Sequence, residues 1–156
     1  MKYRIVTDGS SLANGTDSQV GGWAYVVCDR EKDKEFYDYG GKLGATNNQM
    51  EIKAVIEALR YITKITDESD EIEIVSDSAY VVNCFNQKWI DNWERNGWVT
   101  SKKEPVKNRE MWEELLKFVR SRHVIFTKVK GHAGDAYNEF VDRLAKKGAA
   151  EETKGW

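Results

Sequence analysis

Four carboxylates have types and spacing that could do chemistry together. Asp8 and Asp77 each close a run of apolar and β-branched residues, IVTD and IEIVSD. Glu51 lies in the stretch from Thr46 to Lys64, TNNQMEIKAVIEALRYITK. At about 100° per residue it points about 200° away from Lys53, in line with Val55, Ala58 and Ile62. A carboxylate on the packed side of a helix must be neutralised, paired or bound to a cation. Asp142 aligns with Asn138, Ala145 and Ala149 on the last helical stretch, away from Arg143 and Lys147. Several carboxylates without thiols or multiple histidines suit a hard cation, Mg²⁺ or Mn²⁺, which takes oxygen ligands and keeps waters. Two such ions about 3.5–4 Å apart can clamp the attacking and leaving oxygens of an in-line displacement at phosphorus. His132 sits in a glycine-flanked loop just before the last helical stretch. Taken singly, each has a structural explanation. Asp8 can serve a turn, Asp77 a helix cap, Asp142 a salt bridge to Lys146, and His132 the surface. Glu51 has no capping role, and its combination with Asp8 and Asp77 is what points to chemistry.

The elements that must position these groups follow from local patterns. Strands are expected over Tyr3–Thr7, Trp23–Cys28, Glu35–Tyr39, Glu71–Ser76 and His123–Lys130. The charged turn DREKDK makes the second and third an antiparallel hairpin. Thr46 and Gln49 have capping-box spacing and open a helix to Lys64, with Ile52, Val55, Ile56, Leu59 and Ile62 on its apolar arc. Ser78 can cap a short helix through Phe85. Further helices run from Arg109 to Arg120 and from Ala136 to Ala149, and the charged tail from 151 to 156 is expected to fray. The order βββαβαααβα predicts an α/β fold, a mixed sheet with helices on its faces. If the strands before Asp8 and Asp77 are parallel neighbours, both carboxylates emerge at one sheet edge, where ligands of open α/β sheets bind.

Composition narrows the class. With 156 residues, 40% hydrophobic and 32% charged, the chain reads as one domain with a real core. A net charge of −2 gives no general attraction to nucleic acid, so such binding needs a local patch. No apolar run reaches membrane-span length and no signal peptide opens the chain. Cys28 and Cys84 lack metal-site spacing and read as buried, reduced thiols of a cytoplasmic protein. No heptad pattern suggests a partner, so a monomer is expected.

The segments TDGSSLANG, TNNQMEIKAVIEAL, VSDSAYV and VKGHAGDAYNEFVDRLA occur in this order and carry Asp8, Glu51, Asp77, and His132 with Asp142. Together they closely resemble type 1 ribonuclease H, over approximately residues 3 to 149. The resemblance implies a ribonuclease H-like fold, a five-stranded mixed sheet flanked by helices. It implies metal-dependent hydrolysis of the RNA strand of an RNA–DNA hybrid, leaving 3′-hydroxyl and 5′-phosphate ends. Asp8, Glu51, Asp77 and Asp142 match the family's metal-binding carboxylates, with Asp8 bridging two ions, and His132 matches its mobile-loop histidine. Gly9, Ser10, Asn14, Asn47 and Asn48 match positions near the scissile strand, and Thr46 and Asn108 match positions on a DNA phosphate. The insertion from Gln87 to Asn108 resembles the family's basic protrusion, with Trp89, Trp93 and Ser101 at its contact positions, whereas Trp98 and Trp112 read as a local mini-core.

Two departures stand out. Charges cancel between Lys88 and Arg95, leaving a net +3 only over Ser101 to Arg109. Ala79 stands where many relatives carry a glutamine that contacts the minor groove. The opening Met1 favours a free enzyme over a polymerase domain. A non-catalytic hybrid-binding module of the same fold is the alternative, but it has no need of four carboxylates. An integrase or resolvase relative shares the acidic residues on a similar sheet, but not the His132 loop or the tryptophan-bearing insertion.

Overall fold

The computed structural model describes residues 2–29, 34–129 and 136–154. Its elements are β1 (Lys2–Leu12), β2 (Val20–Asp29), β3 (Lys34–Leu43), α1 (Asn47–Ile65), β4 (Glu71–Ser76), α2 (Ala79–Asn86), α3 (Trp89–Arg95), α4 (Arg109–Ser121), β5 (His123–Lys128) and α5 (Ala136–Lys154). The order is the expected βββαβαααβα. One mixed sheet runs β3-β2-β1-β4-β5. The β1–β2 and β2–β3 pairs are antiparallel, and the β1–β4 and β4–β5 pairs are parallel. The proposed parallel neighbourhood of the Asp8 and Asp77 strands therefore exists.

Alternation along β1 divides the core in two. Ile5 joins Ile52, Val55, Ile56, Leu59 and Trp112 on one face, under α1 and α4. Val6 joins Ala24, Val26, Val141 and Ala145 on the other, under α5. Successive strand residues point to opposite faces, so one strand serves both layers. Trp98 and Trp112 are both buried, as the mini-core expectation holds.

Two expectations are corrected. β1 does not end before Asp8; it continues to Leu12 because β2 pairs with it from Asp8↔Ala24 to Leu12↔Val20. The parallel ladder to β4 has by then stopped at Val6↔Val75. The last helix does not end at Ala149: α5 runs to Lys154, and Tyr39 Oη donates to Glu151 Oε1 at 3.1 Å. The middle one of the three helices that the expected order places between β4 and β5 is α3, in the insertion; its cap residue Lys88 is left-handed (φ 57°) and makes no side-chain cap bond.

Two close approaches place the helices. A Cβ on Gly9 would lie 2.3 Å from the Glu51 nitrogen and from the Met50 carbonyl carbon. A Cβ on Gly22 would lie 1.7 Å from the Ala145 carbonyl oxygen, so α5 rests directly on β2. Gly9→Ala should therefore cost about 3 kcal/mol through overpacking against rigid backbone. Gly44→Ala, at φ 77° with open space around it, should cost only about 1 kcal/mol through backbone strain. Urea unfolding of the two variants beside the parent checks the contrast.

Candidate active site

Asp8, Glu51 and Asp77 converge at the end of the sheet where β1 and β4 part. Asp8 is carried by β1 on the α5 face, and it is buried despite its charge, 7% exposed. Glu51 sits in the first half of α1 and is 6% exposed. It reaches this edge because Gly9 lets the helix backbone settle against β1. α1 itself starts where the sequence indicates: Thr46 Oγ1 accepts from the Gln49 N–H at 3.2 Å, and Gln49 Oε1 accepts from the Thr46 N–H at 2.9 Å. Asp77 leaves the last residue of β4 and is exposed. The cap of α2 is not Asp77 but Ser78, whose Oγ accepts from the Val81 N–H at 3.3 Å. The capping explanation of Asp77 is thereby removed.

One carboxylate oxygen from each of Asp8, Glu51 and Asp77 can be chosen so that all lie within 4.8 Å of one another. Burial, then the negative charges of Asp77 and Asp142, push the Asp8 carboxyl up to about 7, against the pull of hydrogen bonds from Glu51 and the Gly9 N–H. Burial and the charges of Asp8 and Asp77 raise Glu51 well above the usual carboxylate range. Glu51 Oε2 is buried and has no hydrogen-bond partner among the described residues. A buried acceptor left without a donor, inside a set of like charges, is what a cation would satisfy. An all-oxygen donor set without thiol or imidazole fits a hard divalent ion.

Asp142 stands apart from that triad. It is half-exposed on α5 and accepts from Lys146 Nζ at 3.0 Å, as its salt-bridge explanation requires. Its charge still reaches Asp8 and raises it. His132, with Gly131 and Gly134, lies outside the described residues.

The expected substrate-side residues fall into two places. Asn14, Thr46, Asn47, Asn48 and Asn108 line one open groove of about 640 Å³. Asn14 Oδ1 accepts from the Asn47 N–H at 3.2 Å, tying the β1–β2 loop to the start of α1. Gly9 is buried and Ser10 half-buried on β1 beside them. Trp89, Trp93 and Ser101 belong to the insertion. Ser101 is exposed, whereas Trp89 and Trp93 are half-buried against the core. The Trp93 ring lies 6.2 Å from Trp98 and 6.0 Å from Trp112, so it shares in the mini-core expected for those two alone. Sequence reading missed Gln19 and Lys107, which also border the groove. Gln19 bridges two turns, accepting from the Gly15 N–H at 2.9 Å and donating to the Gly44 carbonyl at 2.6 Å. No local pattern marks such a bridge.

Comparison with known proteins identifies the family and the fold. The family model described as RNase H matches residues 1–150. A ribonuclease H of Clostridium botulinum (strain Hall) is 43% identical over 154 residues, covering 96% of this chain and 97% of the relative. That of Syntrophomonas wolfei is 43% identical over 142 residues, covering 91% and 92%. Among solved structures, LC9-RNase H1, a type 1 RNase H with the type 2 active-site motif, superposes with a TM-score of 0.83 at 28% identity, covering 96% of this chain and 72% of that one. LC11-RNase H1, solved in complex with an RNA/DNA hybrid, shares the fold with a TM-score of 0.68 at 21% identity, covering 97% and 99%. The matched segment includes all four carboxylates, and the chain belongs to the RNase H family.

Proposed function

We propose that this chain is a divalent-metal-dependent endonuclease that hydrolyses the RNA strand of RNA–DNA hybrids and leaves 3′-hydroxyl and 5′-phosphate ends. The observation that carries the proposal is the Asp8–Glu51–Asp77 triad, with ligand atoms within 4.8 Å and a buried Glu51 oxygen that has no donor among the described residues. Asp8, Glu51, Asp77 and Asp142 would hold the ions. Two Mg²⁺ ions, or Mn²⁺ in their place, would supply positive charge to the scissile phosphodiester and acidify the attacking water. Thr46 and Asn108 hold a phosphate of the DNA strand at the groove, and the N-terminus of α1 favours that charge. Gly9, Ser10, Asn14, Asn47 and Asn48 address the RNA strand, whose 2′-hydroxyls both donate and accept and so distinguish it from DNA. Trp89, Trp93 and Ser101 contact the DNA strand from the insertion. His132 moves a proton at the site or assists product departure.

Hybrids labelled on either strand, incubated with Mg²⁺ beside duplex RNA and duplex DNA, test the activity. Only the RNA of the hybrid should be cut, and Asp8→Asn should reduce cutting to background. Binding without cutting in both Mg²⁺ and Mn²⁺ would leave the hybrid-binding module as the correct reading. His132→Ala should slow turnover by about 100-fold without abolishing it, as expected for loss of one proton-transfer group; complete loss in a folded variant rejects that role.

The raised carboxyls make metal-free stability depend on pH. Asp8 binds its proton more tightly in the fold, at about 7, than at its ordinary value of 3.8. Its contribution is therefore fully present below the ordinary value and is lost as pH rises through about 7. In chelator at pH 8, Asp8→Asn should be more stable than the parent by on the order of 3 kcal/mol, and the gap should close toward pH 4. Mg²⁺ at pH 8 should raise the parent's melting temperature and leave that of Asp8→Asn nearly unchanged. Thermal melts across pH, with and without Mg²⁺, measure both effects.

A further inference from the structure

The side chain of Gln49 works in two directions. Its Oε1 completes the capping box on α1 by accepting from the Thr46 N–H at 2.9 Å. Its Nε2 donates to Asn108 Oδ1 at 3.3 Å, across 59 residues of sequence. Asn108 opens α4, its carbonyl accepting the first helical bond from the Trp112 N–H at 3.0 Å. Asparagine at such a position ordinarily turns its side-chain oxygen onto its own helix. Asn108 makes no side-chain cap bond, and its backbone is left-handed at φ 63°, a conformation asparagine tolerates better than most residues. Its oxygen is given to Gln49 instead.

A carboxamide has one accepting end and one donating end. With Oδ1 engaged, Nδ2 is the end Asn108 has left for the groove it borders. Asn14 repeats the arrangement on the other side, its Oδ1 engaged by the Asn47 N–H at 3.2 Å. Lys107 adds a cation to the same border. A phosphodiester oxygen only accepts, so both carboxamides are polarised toward it.

We propose that Gln49 is a positioning residue: by holding Asn108 Oδ1 it fixes the Nδ2 donor toward the groove, and so sets affinity for a backbone phosphate of the hybrid. This rests on the substrate role given to Asn108 above. Gln49→Glu keeps the oxygen that caps Thr46 but loses the donor to Asn108. Gln49→Met loses both without adding charge. Each is made alone and with Asn108→Ala. Three quantities are compared: melting temperature, Kd for a labelled hybrid in chelator at about 0.3 M salt to screen the added charge, and the steady-state constants with Mg²⁺.

Gln49→Glu should melt like the parent yet raise Kd and KM about tenfold, with kcat within about twofold. Gln49→Met should raise Kd and KM similarly while lowering the melting temperature. On the Asn108→Ala background neither substitution should raise Kd by more than about twofold, because the group it positions is gone. Parent-like binding by either Gln49 variant, or an equal loss with and without Asn108, overturns the proposal. Parent-like binding by Asn108→Ala alone overturns it together with that residue's substrate role, leaving the ribonuclease assignment intact. A parent that neither binds nor cuts the hybrid removes the assignment itself and the proposal with it.

Discussion

The fold must hold like charges together out of water. Asp8 and Glu51 are both buried; beyond burial itself, the charges of Asp77 and Asp142 raise the proton affinity of Asp8, and those of Asp8 and Asp77 raise that of Glu51. Left to themselves they would separate or the helix would turn. They are kept in place by packing that has nothing to do with charge. Glu51 is bracketed on α1 by Met50, Ile52, Ala54 and Val55, all buried. Rotating the helix to release the carboxylate would expose that arc, and each large apolar side chain exposed costs about 1.5–3 kcal/mol. Hydrophobic burial thus sets the orientation, and the electrostatic penalty is carried as a cost until a cation offsets it.

The same logic explains the glycines at the sheet's ends. Gly9 and Gly22 admit α1 on one face and α5 on the other at distances a methyl group would forbid. Gly148 does likewise against Gly40, where a Cβ would lie 2.1 Å from the carbonyl oxygen. Three carboxylate-bearing elements, β1, α1 and α5, are therefore registered by backbone-to-backbone contact rather than by flexible side chains. That is a stiff way to fix relative positions, since well-packed interiors do not deform continuously. The less rigidly placed acid is Asp142, half-exposed on α5 with Lys146 beside it. Its ion pair is of the exposed, screened kind that contributes little, so Lys146 presents only a small barrier to another cation.

What could be read from the sequence was local. Thr46 and Gln49 announce a helix start because both halves of a capping box lie within four residues. Glu51 is conspicuous because one residue breaks an otherwise clean periodicity. The features that escaped depend on contacts distant in sequence. β1 runs past Asp8 only because β2 pairs with it, and α5 outlasts its expected end because Gly148 and Glu151 meet Gly40 and Tyr39. α3 begins at a left-handed Lys88 with no capping side chain, so no start signal exists to be found. Gln49 was legible as a cap, but its second hydrogen bond reaches 59 residues along the chain. The tryptophans of the insertion mislead for a related reason: a ring such as Trp93 serves packing and surface at once, and composition cannot separate the two.

The insertion's charge balance acquires a physical meaning from its partners. Glu94 on α3 binds Arg120 on α4, with Nη1 donating to Oε2 at 3.1 Å, so a carboxylate that weakens the region's basic character also anchors α3. Arg109 lies 5.2 Å from the Trp98 ring centroid and donates to Glu113 at 2.6 Å. Two arginines are thus committed within the fold. The net positive charge of the insertion is left mainly to Lys102, Lys103 and Lys107, and Lys107 borders the groove that holds Asn14, Thr46 and Asn108. Neutral donors at that groove would recognise a phosphate oxygen by geometry, and their contribution would be less screened by salt than that of a lysine. A chain with net charge −2 can then approach a polyanion without a large basic surface. On the proposed function, phosphate recognition would be divided between a short cationic stretch and carboxamides whose polarity the protein's own hydrogen bonds determine.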